Sequence, residues 1–187
     1  MAALPSQAFP PVTPPAVASY SFQNIIDGSG IVVFYVTGQA DNSTTTWRLL
    51  TDILPTRGVA ANRVMDGGVT YTPETNAFNT PRIANGDATI SMELEKTGAN
   101  FSFTATIAKV DKNAVVTNIS STITSDTASV DAHAFNLKVP LTKTQFGKGD
   151  KIRVTLVMSG AGSKVWADPV GTNGLPAKVL IPFDVRL

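Results

Sequence analysis

The chain contains no cysteine, which excludes a disulfide framework, a thiolate metal cage and a cysteine nucleophile. Its single histidine, His133, leaves an ordinary zinc site to be completed by carboxylates alone. Basic residues are missing from the whole N-terminal stretch: the first is Arg48, and only Asp27 and Asp41 precede it as ionisable side chains. Phosphate binding needs clustered cations that release counterions, so this end is no nucleic-acid-binding arm. The 15 Lys and Arg against 14 Asp and Glu leave a formal net charge of +1, too weak a field to gather polyanions. No uninterrupted apolar run approaches the roughly 20 residues of a membrane-spanning helix. The opening MAALPSQAFPPVTPPAVASY also lacks the basic and continuous apolar regions of a secretory signal. A soluble chain in contact with neither nucleic acid nor membrane is expected.

With 43% apolar and 16% charged residues, the composition is that of a folded chain rather than a disordered one. Residues 1–19 read as an extended arm, because Pro5, Pro10, Pro11, Pro14 and Pro15 fix φ and remove amide donors. Leu4, Phe9 and Val12, set among Pro10, Pro11, Pro14 and Pro15, are the candidate interface residues, apolar anchors for a neighbouring subunit. The alternatives are a leader with no role and a ligand for a proline-recognition module.

Residues 20–187 read as one β domain. YSFQNII, the DGSG turn and IVVFYVT give two strands rich in β-branched and aromatic side chains. WRLLTDIL is ambiguous; Trp47, Leu50 and Leu54 fall at helical spacing, so a short helix or irregular crossing is expected there. Residues 55–87 read as long loops with one short strand at VTYT, broken by Gly and Pro and by a turn at Asn85-Gly86-Asp87. Beyond them the alternation is regular. In ATISMELEK, Ile90, Met92 and Leu94 alternate with Ser91, Glu93 and Glu95, and FSFTATIAKV repeats the pattern after a turn at Thr97-Gly98-Ala99-Asn100, which predicts a hairpin. AVVTNISSTIT follows as a third strand. Val130, Ala132 and Ala134 occupy one parity and Phe135, Leu137, Val139 and Leu141 the other, a slip that predicts a β-bulge between them. After a turn at Gly147-Lys148-Gly149-Asp150, KIRVTLVM and AKVLIPFDVRL close the chain, and Pro182 requires an edge, an unpaired side or a bulge. Eight to ten alternating strands without a long amphipathic helix predict an all-β antiparallel β-sandwich, jelly-roll-like in its connections; a barrel is the alternative.

No constellation for catalysis is legible. His133 reads as a surface histidine, since Ser129 and Asp131 lie beside it in sequence without forming a pocket. Glu93 and Glu95 have a spacing compatible with a carboxylate pair, but any strand with alternating glutamates produces it. Asp66-Gly67-Gly68 and Asn85-Gly86-Asp87 are explained as turns more simply than as calcium loops. Asn42, Asn100 and Asn118 open N-x-S/T triplets of the kind that arise by chance in a Thr-rich chain. Trp47, Trp166, Tyr20, Tyr35 and Tyr71 serve a core as well as they would a sugar platform. No catalytic residue, metal or cofactor is therefore assigned, and the expectation is a protein that is not an enzyme.

The arm LPSQAFPPVTPPAV, the Ala/Thr/Ser-rich strands ATISMEL and FSFTATIAKV, and the closing pair GDKIRVTLVM and AKVLIPFDVRL resemble the small β-sandwich and jelly-roll structural proteins of virions. The tailed-phage capsid decoration, or cement, proteins are the nearest in character. That resemblance implies a homo-oligomer, a trimer by preference, bound to the subunits of a protein shell on the capsid surface. A major or minor capsid subunit of the same fold is a second expectation, and an extracellular carbohydrate-binding module a third.

Overall fold

The computed structural model describes residues 30–38, 47–50, 62–65, 68, 70–96, 100–128, 131–159, 163–166 and 177–184. The proline-rich arm, with Leu4, Phe9, Pro10, Pro11, Val12, Pro14 and Pro15, lies outside them, as does the expected strand YSFQNII.

Thirteen strands are described: β1 (Gly30–Gly38), β2 (Trp47–Leu50), β3 (Asn62–Met65), β4 (Thr70–Tyr71), β5 (Glu74–Thr75), β6 (Arg82–Lys96), β7 (Phe103–Val110), β8 (Val116–Asn118), β9 (Ile123–Thr124), β10 (Asp131–Phe146), β11 (Lys151–Met158), β12 (Ser163–Trp166) and β13 (Lys178–Phe183). They hydrogen-bond along one path, β3-β12-β6-β13-β1-β2-β5-β11-β7-β8, with β10 on the other side of β6, β4 beside β11 and β9 beside β7. Every pairing is antiparallel except that of β2 with β5. That parallel contact joins one half, around the long β6, to the other, around β11 and β7.

The all-β, antiparallel expectation holds, and the alternation places the core. Burial along β7 and β11 follows the two-residue period, with Phe103, Ala105, Ile107, Ile152, Val154, Leu156 and Met158 inward. The opposite wall is made by Ile90 and Met92 of β6, Leu137 and Val139 of β10, and Val179, Ile181 and Phe183 of β13. The Phe135 ring meets Phe101 at 5.7 Å and Phe103 at 5.5 Å, both edge-on, so the two halves interlock through aromatic contacts.

Five local expectations are corrected. WRLL is strand β2, because pairing with β1 and β5 on its two edges outweighs the helical spacing of three apolar residues. The stretch 55–87 holds three short strands and the start of β6, so it is less loop-like than its Gly and Pro content suggests. Asn85-Gly86-Asp87 is no chain-reversing turn but lies within β6, where Gly86 takes φ 105° and faces the Pro182 ring. The slip expected between Ala134 and Phe135 is absent: β10 pairs with β6 without a break from Asp131 to Leu141, and the shift falls between Leu141 and Thr144. The Ala residues that suggested the other parity are small enough to sit outside, as exposed Ala134 does. Lastly, β6 and β7 form no hairpin. β6 pairs with β10, β12 and β13, and β7 with β11, β8 and β9, so the chain crosses from one half to the other between them.

Of the three placements open to Pro182, the edge is ruled out and the bulge is the one found. β13 is interior, between β1 and β6, and Ile181 and Pro182 stand against residues 85–88 of β6 where the register shifts. The missing amide therefore falls where the ladder is already broken.

The turn after β7 is held by the Asp111 carboxylate, which accepts from the amides of Asn113 and Val115, both at 2.8 Å. It forces Ala114 to φ 65°, a conformation in which Cβ crowds the following carbonyl. Ala114→Gly is expected to stabilise the protein by about 0.5–1 kcal/mol, the relieved strain exceeding the extra freedom of the unfolded chain. A rise in the urea midpoint at unchanged slope is the expected reading.

Candidate functional site

Among the described residues, a recess of about 420 Å³ opens where the edges of the two halves diverge. One wall is the segment from Thr124 to Ala128 that follows β9; the other is Ala134 to Leu137 of β10.

The first wall is pinned to β7. Ser125 donates its amide to the Phe103 carbonyl, and Ala128 and Phe101 exchange amide bonds at 2.8 and 2.9 Å. The buried Ser125 hydroxyl accepts from the Phe103 amide at 3.0 Å and donates to the Asp126 carbonyl at 2.9 Å. With its proton and a lone pair both committed, it acts as a structural clasp rather than a poised nucleophile. The same clasp turns Asp126 and Thr127 outward, where both are exposed. Phe135 and Leu137 supply the apolar side of the recess, and exposed Ala134 and Asn136 supply its rim. The result is one carboxylate, several hydroxyls and an amide around an aromatic floor. Such a mixture is of the kind that suits a polar ligand with an apolar part.

Two ion clusters lie apart from this recess. Glu74 accepts from Arg153 Nε at 2.8 Å and also bonds Arg153 Nη2 and, at 3.3 Å, Lys151 Nζ. Burial pushes the Glu74 carboxyl up, but the bonds and charges of Arg153 and Lys151 outweigh it and hold it below the ordinary value. Asp150 is buried and accepts from Lys109 Nζ and the Gly147 amide. There too burial raises the carboxyl, and Lys109 with the Gly147 amide brings it below normal. These carboxylates tie strands and turns together; Asp150 also joins the Phe78 loop, whose amide donates to its carbonyl at 2.9 Å.

The structure brings few of the sequence candidates together. Glu93 and Glu95 fall on β6 opposite Ala134 and Ala132 of β10, and His133 on β10 opposite Leu94; their side chains lie outside the described residues. Asp66 and Gly67 also lie outside them. Asn85 donates its side-chain amide to Asp184 at 3.1 Å and the Asp87 carboxylate pairs with Lys138 at 2.8 Å, so both side chains are engaged with protein partners. Among the described residues no group of three metal-ligating side chains occurs. Tyr71 is buried and offers no face to a sugar. Trp47 and Trp166 lie on β2 and β12, with side chains outside the described residues, as are Tyr20 and Asn42. Asn100 and Asn118 are exposed. Ser125, Asp126 and Asn136 were not singled out by sequence. The signal available was the polar run Thr124–Thr127, which breaks the alternation.

No family model and no curated protein sequence matches the chain. Solved structures do share its fold. A CocE/NonD family hydrolase from Staphylococcus aureus superposes with a TM-score of 0.60 at 12% identity, over 82% of this chain and 36% of its own. An alpha-amino acid ester hydrolase gives 0.50 at 13% identity, over 66% and 27%. An aminopeptidase from the marine sediment archaeon Thaumarchaeota archaeon gives 0.51 at 12%, over 64% and 27%. The chain thus spans about a third or less of each, and at these identities the likeness is one of fold.

These matches overturn the virion reading. The resemblance to jelly-roll capsid and decoration proteins, the capsid-surface location, the shell subunits and trimer as partners, and the assignment as a non-enzyme all give way, because the solved structures that share this fold, over about a third or less of their own length, are hydrolase and aminopeptidase chains. The physical reason is that Ala/Thr/Ser-rich alternating strands are what any two-layer β structure requires; they encode architecture and not role.

Proposed function

We propose that this chain serves as the β-sandwich portion of a hydrolase acting on ester or amide bonds, with the recess between Thr124–Ala128 and Ala134–Leu137 forming part of its substrate-binding wall. The reading is carried by the extent of the likeness: four-fifths of this chain follows a hydrolase that is more than twice as long. The names of the other two neighbours, an alpha-amino acid ester hydrolase and an aminopeptidase, both describe cleavage at an acyl carbon. The recess supports the same reading, since its volume lies within the roughly 300–1,000 Å³ of small-molecule sites. Its hydroxyls and carboxylate surround an aromatic floor, and the buried Ser125 hydroxyl is already committed to the Phe103 amide and the Asp126 carbonyl. In this arrangement the described domain binds and orients, while bond cleavage falls to groups beyond the recess.

The test is a titration of the isotope-labelled chain with an aminoacyl methyl ester and an aminoacyl anilide, followed by amide NMR. Saturable shifts concentrated at Thr124–Ala128 and Ala134–Leu137 are expected. Absence of saturable shifts there with both compounds overturns the proposal. In parallel, any release of product by the purified chain is compared in wild type and His133→Ala, which separates cleavage within the chain from binding alone.

A further inference from the structure

β10 is a long strand with only one described partner. Along residues 131–141 it pairs with β6 on one edge; among the described residues no strand pairs with its other edge. The first contact on that side is the Thr142 amide, which donates to the Ile119 carbonyl at 2.7 Å and closes the gap between the halves. Pro140 has no amide to offer β6, and Thr142 points its amide away from β6. The two-residue alternation of a strand then turns the backbone groups of Ala134, Asn136 and Lys138 to the outer edge. Lys138 and Pro140 are the kinds of residue that discourage unwanted strand pairing, and they guard one end of the edge. Ala134 to Leu137 carry no such guard, and it is these residues that line the recess.

The opposite wall supplies the charge. Asp126 is exposed on the recess, and no described cation forms an ion pair with it. Among the described residues, a backbone edge with no strand partner on one side and a carboxylate with no ion-pair partner on the other fit one kind of occupant. We infer that the recess takes an extended peptide segment, which adds as a strand to β10 at Ala134–Lys138 and places a basic side chain against Asp126. Phe135 and Leu137 then receive an apolar side chain of the peptide at alternate positions. This inference goes beyond the hydrolase reading and does not depend on it, because strand addition requires no cleavage.

The experiment uses the full chain and a fluorescent pentapeptide, Thr-Val-Lys-Val-Thr with blocked ends, followed by polarisation at low salt. Saturable binding is expected, with amide hydrogen exchange slowed at Ala134, Asn136 and Lys138. Exchanging the peptide lysine for glutamate, or Asp126→Asn in the protein, is expected to weaken binding about 3- to 10-fold, an effect that shrinks at high salt. N-methylation of the peptide backbone is expected to abolish binding, and Asn136→Pro to do the same while Asn136→Thr preserves it. If Asn136→Pro does not fold, the N-methylated peptide alone decides the matter. No saturable binding, or binding indifferent to N-methylation, overturns the inference. A small ester that shifts the recess without peptide binding leaves the hydrolase reading intact and sinks this one; the reverse result does the opposite.

Discussion

Phe146→Ala is expected to destabilise the protein by about 3–5 kcal/mol, a large part of the roughly 5–15 kcal/mol that holds a domain folded. Phe146 ends β10 and is fully buried. Its ring meets Phe78 edge-on at 5.5 Å, and Phe78 in turn meets Phe183 of β13 edge-on at 6.0 Å. Lys109 Nζ stands 5.7 Å from the Phe146 ring centre, so the loss includes a cation–π contact as well as apolar area. The neighbours cannot collapse into the space, because Phe78 is tied through backbone bonds to Gly149 and Asp150 and Phe183 sits in register with β1 and β6. Phe146→Leu, which keeps most of the volume, should recover a substantial part of the loss. Urea unfolding of the three proteins gives the comparison; a change below about 1.5 kcal/mol for Phe146→Ala would mean that this junction is looser than described.

The second large effect concerns a charge. Lys109→Met keeps the apolar stem that lies over Phe146 but removes the ammonium that pairs with Asp150 at 2.9 Å and donates to the Gln145 carbonyl at 2.8 Å. Asp150 remains buried, with the Gly147 amide at 2.7 Å and the Lys112 amide still bonded to its carboxylate. A cost of about 2–3 kcal/mol at pH 7 is expected, below that of a fully buried pair because the Lys109 side chain is partly exposed. The pH dependence fixes the cause. Asp150 and Glu74 both titrate below their ordinary values in the folded protein. Their contribution is therefore present above the unfolded values of about 3.9 and 4.3, and is lost as pH falls through the lower folded values. Wild type should weaken below about pH 4, and the gap between wild type and Lys109→Met should narrow over the same range, since a protonated Asp150 no longer needs its cation. A gap that stays constant from pH 7 to pH 3 would assign the loss to packing.

Both effects arise where the Gly147–Asp150 turn meets the Phe78 loop, and that meeting was partly visible beforehand. The sequence marks Gly147-Lys148-Gly149-Asp150 as a turn, and so it is, with Gly149 at φ 93°. Asp150 as a buried acceptor for Lys109 was not visible, because the two are brought together by the pairing of Lys151 with Val110. The candidate site shows the same division. Thr124–Thr127 reads as polar interruption, but nothing in that run says that β10 lies across from it. The virion resemblance, drawn from the proline-rich arm and from strand character, failed on the same ground: its strands build a fold that part of a hydrolase chain also has.

By itself the sequence determined that the chain is all-β and which side chains face inward along β6, β7, β11 and β13, since a two-residue period assigns each residue to one face of a strand and burial follows polarity. It also barred Pro182 from a donating ladder position, leaving an edge, an unpaired side or a bulge open. Tertiary structure decided which strands are neighbours: that β6 and β7 part company, that WRLL pairs as β2, and that the register of β10 shifts after Leu141 rather than before Phe135. Backbone amides and carbonyls are the same in every strand, so edges carry no sequence label of their own. Pairing is settled by how whole faces pack across the core, and the recess exists only because two edges far apart in the chain end beside one another.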